Sequence, residues 1–279
     1  MRVFLSSLLI VGVCAQLSWA QQIQGPGGGD QKFQGFNLSG YNDSGEKAWD
    51  VTGETANVAG SKIELTNVNA NSYGKQAMNV KADKGTVDQA SGDMKLQKDV
   101  IITSEDGSTL MSDSVNWNKN KDLVSSNDKV FIKNKRLSAT GEGMTARPGL
   151  KKATINKDVT VKVDTNPDNE SKNKLVTITS DGPMVIDQLL SKARFEKNVV
   201  AVQEDQTLKA DVIEVYFDEK MQNFKKIVCI GNVEIIRGEN KTYAEKATYD
   251  AADQKITLSG RPKLIFETQG KNGFTAFGN

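Results

Sequence analysis

The sequence contains no histidine. That removes the commonest general base, the commonest zinc ligand and the side chain that titrates near pH 6. Ser-His-Asp and Cys-His nucleophile pairs are excluded with it. Charge of one sign is also missing: 36 Lys+Arg against 35 Asp+Glu leave a net charge of +1. A nucleic-acid binder needs a basic face to neutralise phosphates, and this balance argues against one. Hydrophobic residues make up only 37% and aromatics 6%. Either the core is thin or one face of every element is wet, so a helical globule or a transmembrane bundle fits poorly. Cysteine is nearly absent. Cys14 and Cys229 are the two in the chain, so no disulfide framework holds it. Cys229 lies in the apolar run Ile227-Val228-Cys229-Ile230, which reads as a buried structural thiol.

What is present begins with a distinct N-terminus. Arg2 precedes an apolar run from Val3 to Val13, which ends at Ser18-Trp19-Ala20 before the polar Gln21-Gln22. A positive start, an apolar core and a small-x-small exit have the anatomy of a secretory signal cleaved after Ala20. Residues 3–20 also approach the roughly 20 needed to span a bilayer, so an uncleaved inner-membrane anchor is the second reading. Lipid modification at Cys14 is the third, disfavoured by the bulky Val13 before it. All three put the rest of the chain outside the cytoplasm. Residues 21–32, with Gly25-Pro26-Gly27-Gly28-Gly29, read as a flexible spacer.

A repeat of about 30 residues follows. Each unit carries a small residue and an acid, as in Ala82-Asp83, and ends on a polar pair before valine, as in Lys98-Asp99-Val100. The acids are Asp83, Asp113, Glu142, Asp181, Asp211 and Glu245, at steps of 30, 29, 39, 30 and 34 residues. The matching apolar positions are Val100, Val130, Val159, Val199 and Val233, with Lys263 in the last unit. The long step contains the polar segment 164–174, the best internal boundary. Three units precede it and three follow.

Inside a unit the period is two: Val115 and Trp117 after Asp113, and Ile213, Val215 and Phe217 after Asp211. Alternation with Asn, Asp and Gly turns is the signature of half-buried strands, and no stretch has a helical period. The expectation is an all-β protein with about three short antiparallel strands per unit and one wet face. Leu189 to Phe195 reads as a turn and strand, and Gly182-Pro183 as a bulge at a strand start.

The recurring acids invite a metal or catalytic reading. One acid per 30 residues cannot supply the six to eight oxygens that calcium takes, and nothing marks a catalytic pair. They read instead as structural groups at strand starts, opposite the apolar face, satisfying turn amides or a lysine on the next strand. No catalytic residue, metal site or cofactor is assigned. The apolar stripe is the remaining candidate site. Val115, Trp117 and Val130 in the first half, and Ile213, Val215, Val233 and Ile235 in the second, stand at equivalent positions. They line either a packed core or an apolar groove for alkyl chains.

Several segments together resemble a known family. Phe36-x-Leu38-x-Gly40-Tyr41-Asn42-x-x-Gly45-x-x-x-Trp49-x-Val51-x-Gly53, then Ile63-x-Leu65-x-Asn67-Val68 and Tyr73-Gly74, resemble the start of LptC-like periplasmic lipopolysaccharide-export proteins. Leu208-Lys209-Ala210-Asp211, Gly231-Asn232-Val233-Glu234-Ile235 and Tyr249-Asp250 with Ile256-Thr257-Leu258-Ser259-Gly260 are similar to LptA/OstA-like proteins. The resemblance covers about residues 33–268. It implies two consecutive half-open, twisted antiparallel β-jelly rolls: an LptC-like roll at 33–163, a linker at 164–174, an LptA/OstA-like roll at 175–268 and a tail at 269–279. It further implies a non-enzymatic periplasmic protein that carries lipopolysaccharide by its acyl chains toward the outer membrane. The implied partners are an inner-membrane export complex and an outer-membrane jelly-roll receiver, met by edge-strand pairing, with head-to-tail copies of the chain as a further partner. The free edges are expected near Phe36 to Asp50 and Lys263 to Thr268. The competing reading is a structural or adhesive extracytoplasmic β-repeat protein with a filled core.

Overall fold

The computed structural model describes residues 30–73, 77–164, 175–219, 221 and 223–266. The leader reading of residues 1–20, most of the spacer, all but Asp164 of the linker and the tail 269–279 lie outside the described residues.

The described chain is antiparallel β throughout. The first half contributes β1 (Gln31–Tyr41), β2 (Lys47–Ala59), β3 (Lys62–Ser72), β4 (Met78–Asp88), β5 (Met94–Ser104), β6 (Thr109–Asn118), β7 (Leu123–Lys133), β8 (Leu137–Arg147) and β9 (Lys152–Asp164). The second half contributes β10 (Leu175–Ser180), β11 (Met184–Asp187), β12 (Lys192–Gln203), β13 (Gln206–Phe217), β14 (Phe224–Arg237), β15 (Asn240–Asp250), β16 (Lys255–Ser259) and β17 (Lys263–Ile265). β1 begins at Gln31, inside the range read as spacer, because Phe33 and Phe36 have strand partners in Ala56 and Gly53.

Each strand pairs with its sequence neighbour from β1 to β9. The chain then crosses residues 165–174 and returns beside β9, with Leu175 opposite Asp164 and Ser180 opposite Val159. β10 and β11 are one strand interrupted at Asp181-Gly182-Pro183, and both lie between β9 and β12. Pro183 cannot donate to a ladder, so the break falls there. The order then runs on through β13, β14 and β15 to β16 and β17. The two halves therefore share one continuous sheet, joined by an ordinary strand pair. The free edges are β1 and the β16–β17 side of β15, close to where edges were expected.

The repeat has a different anatomy from the three short strands expected. Lys98-Asp99 does not end a strand but sits inside β5, where two residues face the single Asp113 of β6. Both residues have positive φ, 63° and 49°. The same event recurs at Lys197-Asn198 (64°, 49°), Gly231-Asn232 (76°, 47°) and Gly260-Arg261 (80°, 55°). Asp158 marks it in β9 and Asn127-Asp128 in β7, whereas in β3 Asn67 has positive φ (49°) but keeps register opposite Asp83. A bulge bends its strand and increases its twist. Bulges on alternate strands at one level fold the sheet along a crease, so its two limbs bury one apolar face between them. That is the half-open jelly roll, reached with long bent strands.

The crease also explains the small residue and the acid. The small residue faces inward at the fold line: Ala82, Ser112, Gly141, Ser180, Ala210 and Ala244. At Gly141 a Cβ would press on Ile155 Cγ2 and lie 3.0 Å from the Lys157 carbonyl oxygen. The acid stands across from the bulge, mid-strand except for Asp181 in the β10–β11 break, and not at a strand start. Asn232 Nδ2 donates to Asp211 (2.9 Å), Asn198 Nδ2 donates to Asp181 (2.6 Å), and Lys157 Nζ pairs with Glu142 (2.9 Å).

One apolar cluster runs from Met78 to Ala247 across the junction of the halves, with Met144, Ile155 and Ile186 each 1% exposed. A second, smaller cluster joins Val51, Ala56, Ile63, Leu65, Val68 and Val87. Cys229 is buried and free, as its apolar neighbours suggested.

Candidate functional site

The inward face is the candidate site, and strand parity builds it. Val115 and Trp117 (β6), Val130 (β7), Ile213 (β13) and Val233 (β14) are buried, while Val215 and Ile235 are partly buried against the same cluster. The structure thus brings all seven expected residues to one interior, but in different parts of it. Trp117 pairs with Met94 and Val124, and Val115 with Leu96, in a section whose two limbs are closed. Val124, Ile132, Ala139 and Ala146, on both limbs of the same section, are at most 1% exposed.

Beyond β12 the interior opens. Its floor, next to the crease, stays covered: Phe195, Ile213, Cys229 and Ala247 form one cross-strand row, each at most 4% exposed. The rows farther from the crease do not. On one limb Val215, Ile227 and Tyr249 are half-buried and lead to Ile256, 55% exposed. On the other, Leu208 and Ile235 lead through Thr242 to Leu264, 50% exposed. A covered floor between two open lips, ending at a free edge, is a trough lined mainly by alkyl groups, with Phe195 in its floor and Thr242 and Tyr249 on its lips. The lip residues Leu208, Ile227, Tyr249, Ile256 and Leu264 were not among the expected site residues. They share the parity of Val215 and Ile235, and that was the available signal.

The site's electrostatics are those of a passive lining. Burial pushes the Cys229 thiol up to about 12, so it is no nucleophile. The strongest ionic cluster lies outside, on the opposite face of β13. There burial alone would raise Glu214, but hydrogen bonds from Tyr216 (2.7 Å), Arg194 (2.6 Å) and Lys192 (3.2 Å) outweigh it and hold the carboxyl at about 2. At the N-terminal end, Asp50 accepts from Lys47 (2.7 Å), Asn71 (2.8 Å) and Tyr73 (2.7 Å), bracing the first hairpin. The glycines of that hairpin make room for rings: a Cβ on Gly40 would meet the Trp49 indole, and one on Gly53 the Phe36 ring. Among the described residues, no group of three or more Cys, Asp or Glu could hold a metal ion.

The profile described as lipopolysaccharide-assembly, LptC-related, matches residues 3–164, more than half of the chain. The chain belongs to the LptC-related family. Residues 177–277 match a second profile, the LptA/(LptD N-terminal domain) lipopolysaccharide transport protein. The match to LptC-related proteins thus ends at the last residue of β9, and the LptA-type match begins inside β10. A solved structure similar to the chain is that of LptH, the LptA homologous periplasmic component of the lipopolysaccharide transport device from Pseudomonas aeruginosa. It is 15% identical over 68% of this chain and 95% of that chain, with a TM-score of 0.20. No curated protein matches. The tandem of an LptC-related and an LptA-type segment is that of a periplasmic lipopolysaccharide-transport bridge, whose families transport and bridge.

Proposed function

We propose that this LptC-related chain carries lipopolysaccharide by its acyl chains along the inward apolar face, using residues 33–163 and 175–268 as two jelly rolls of one bridge. The observation that carries the reading is the trough beyond β12, with its floor at Ile213 and Cys229 and its lips at Val215 and Ile235. Burial of acyl carbons gains about 0.8 kcal/mol per CH₂, so a chain of about twelve carbons gains on the order of 10 kcal/mol when fully sheltered. Such a ligand needs alkyl lining and length, and no nucleophile, metal or general base. In the closed section around Val115, Trp117 and Val130, cargo enters by parting the two limbs. The free edges, β1 and the β16–β17 side, are rows of unpaired backbone groups that suit strand-to-strand docking. We assign them to an inner-membrane export partner, an outer-membrane receiver of the same fold, or head-to-tail copies of the chain.

A photo-crosslinking residue at position 215 tests the cargo reading in cells. It should capture lipopolysaccharide, while the same residue at Lys119, on a solvent-facing turn, should not. Equal capture at the two positions refutes it.

A further inference from the structure

The hairpin turns of alternate strand pairs all lie at one end of the sheet, and hydrogen bonds from backbone amides lace them together. The Gly149 amide donates to Asp122 (2.6 Å), the Gln188 amide to the Lys151 carbonyl (3.0 Å), and the Phe217 amide to the Ser191 carbonyl (2.8 Å). On this laced rim three leucines stand out in solvent: Leu150 is 54% exposed, Leu189 67% and Leu190 63%. The Gln188–Lys151 bond ties the turn of Leu189 and Leu190 to that of Leu150. Nothing in the interior accounts for them, since they sit beyond the strand ends.

Just behind these tips, on the outer face, one cross-strand row carries Arg147, Lys152, Lys192, Lys226 and Lys255. The two carboxylates of the same row are turned toward turn amides: Asp187 accepts from the Leu190 amide (3.0 Å) and Asp250 from the Ala252 amide (2.9 Å). Lys192 is tied to Glu214, so the row presents four cations, Arg147, Lys152, Lys226 and Lys255, to solvent behind apolar tips. Loops that place leucine at the acyl boundary and lysine at headgroup level have this layout. An acidic or neutral protein surface would use the leucines or the lysines, whereas an anionic bilayer uses both at their respective depths.

We propose that this turn end docks on a phospholipid bilayer carrying anionic headgroups, with Leu189 and Leu190 inserted and Lys152 and Lys226 at the phosphates. The basic row runs across the strands, parallel to the trough. A docked molecule consequently lies along the membrane, in a state that alternates with bridging between membranes. The proposal rests on the turn end alone and goes beyond the cargo reading.

The test uses the full chain with Cys14→Ser and Leu189→Cys, labelled with an environment-sensitive fluorophore. Vesicles of about three parts phosphatidylcholine to one part phosphatidylglycerol are added. The label at 189 should shift to the blue, one at Glu204→Cys on the opposite end should not, and about 0.5 M salt should reverse the shift. Lys152→Glu with Lys226→Glu should weaken vesicle affinity at least about tenfold, while lipopolysaccharide capture at position 215 stays unchanged. The proposal is overturned by equal shifts at 189 and 204, by an equal response to pure phosphatidylcholine, by indifference to the lysine changes, or by a shift that appears with protein concentration alone, which would mark self-association.

Discussion

Replacing Ile213 and Ile235 one at a time by alanine separates floor from lip. The two positions carry the same side chain on adjacent strands, β13 and β14, and both face inward. Ile213 is 2% exposed and flanked by Phe195 and Cys229 in the ladder. Removing its distal carbons leaves a cavity that the surrounding strands cannot collapse, a loss of about 2–5 kcal/mol. Ile235 is half-buried, so part of the same group already touches water, and the loss there should be about 1 kcal/mol. Against a total stability on the order of 5–15 kcal/mol, the first change is severe and the second mild. Urea unfolding followed by circular dichroism reads both, with unchanged slope as the check that the unfolded states are comparable. Lipopolysaccharide binding should show the reverse emphasis: Ile235→Arg, which sets a charge on the lip, should abolish it in a protein that still folds. Equal stability losses at 213 and 235, or full binding by a folded Ile235→Arg variant, would refute the division into floor and lip.

Three further outcomes follow from other parts of the sheet. Glu214 is held at about 2, so its contribution is fully present above its ordinary value near 4.5 and is lost as pH falls toward 2; Glu214→Gln should cost up to about 3 kcal/mol at pH 7 and converge with the parent in acid, measured by urea unfolding across pH 2–7. Gly141→Val should destabilise by about 1–3 kcal/mol or more through its clash with Ile155 at the crease, whereas Gly60→Ala, on an open turn, should cost less; thermal melts of the two compare them. Ile265→Pro removes a ladder donor from β17, opposite Lys241, and should leave lipopolysaccharide binding by the isolated protein intact while ending edge-to-edge association in crosslinking; unchanged association would clear that edge of a docking role.

The sheet was legible because alternation is local. Ile213, Val215 and Phe217 announce an inward face without reference to any other strand. The crease was less so. A polar pair with left-handed tendency, such as Lys98-Asp99, can close a hairpin or bend a continuing strand. What decides is the neighbour across the ladder, here a small residue and an acid 14 residues away, at Ser112 and Asp113. The pairing across the segment 164–174, read as a linker between two rolls in line, was also less legible. The segment's polar composition suits a spacer, yet Val161 and Val163 on one side and Val176 and Ile178 on the other already matched as a ladder. The candidate site divided along the same line. Parity placed all seven residues inside, but whether Val215 is sheltered or open depends on which strands cover it, a property of the sheet's ends rather than of any segment.

From β5 onward the bulge on every second strand makes a pair of strands the smallest unit that contains one bend. Adding a pair lengthens the assembly by two strand spacings, about 10 Å, without altering its cross-section. Each pair touches only the pairs beside it, so its cohesion is counted between nearest neighbours, as in repeat proteins. The β9–β10 joint is chemically one more such contact: six paired residues, from Leu175 opposite Asp164 to Ser180 opposite Val159. Within this chain the seam between the halves is then of the same kind as the seams inside each half.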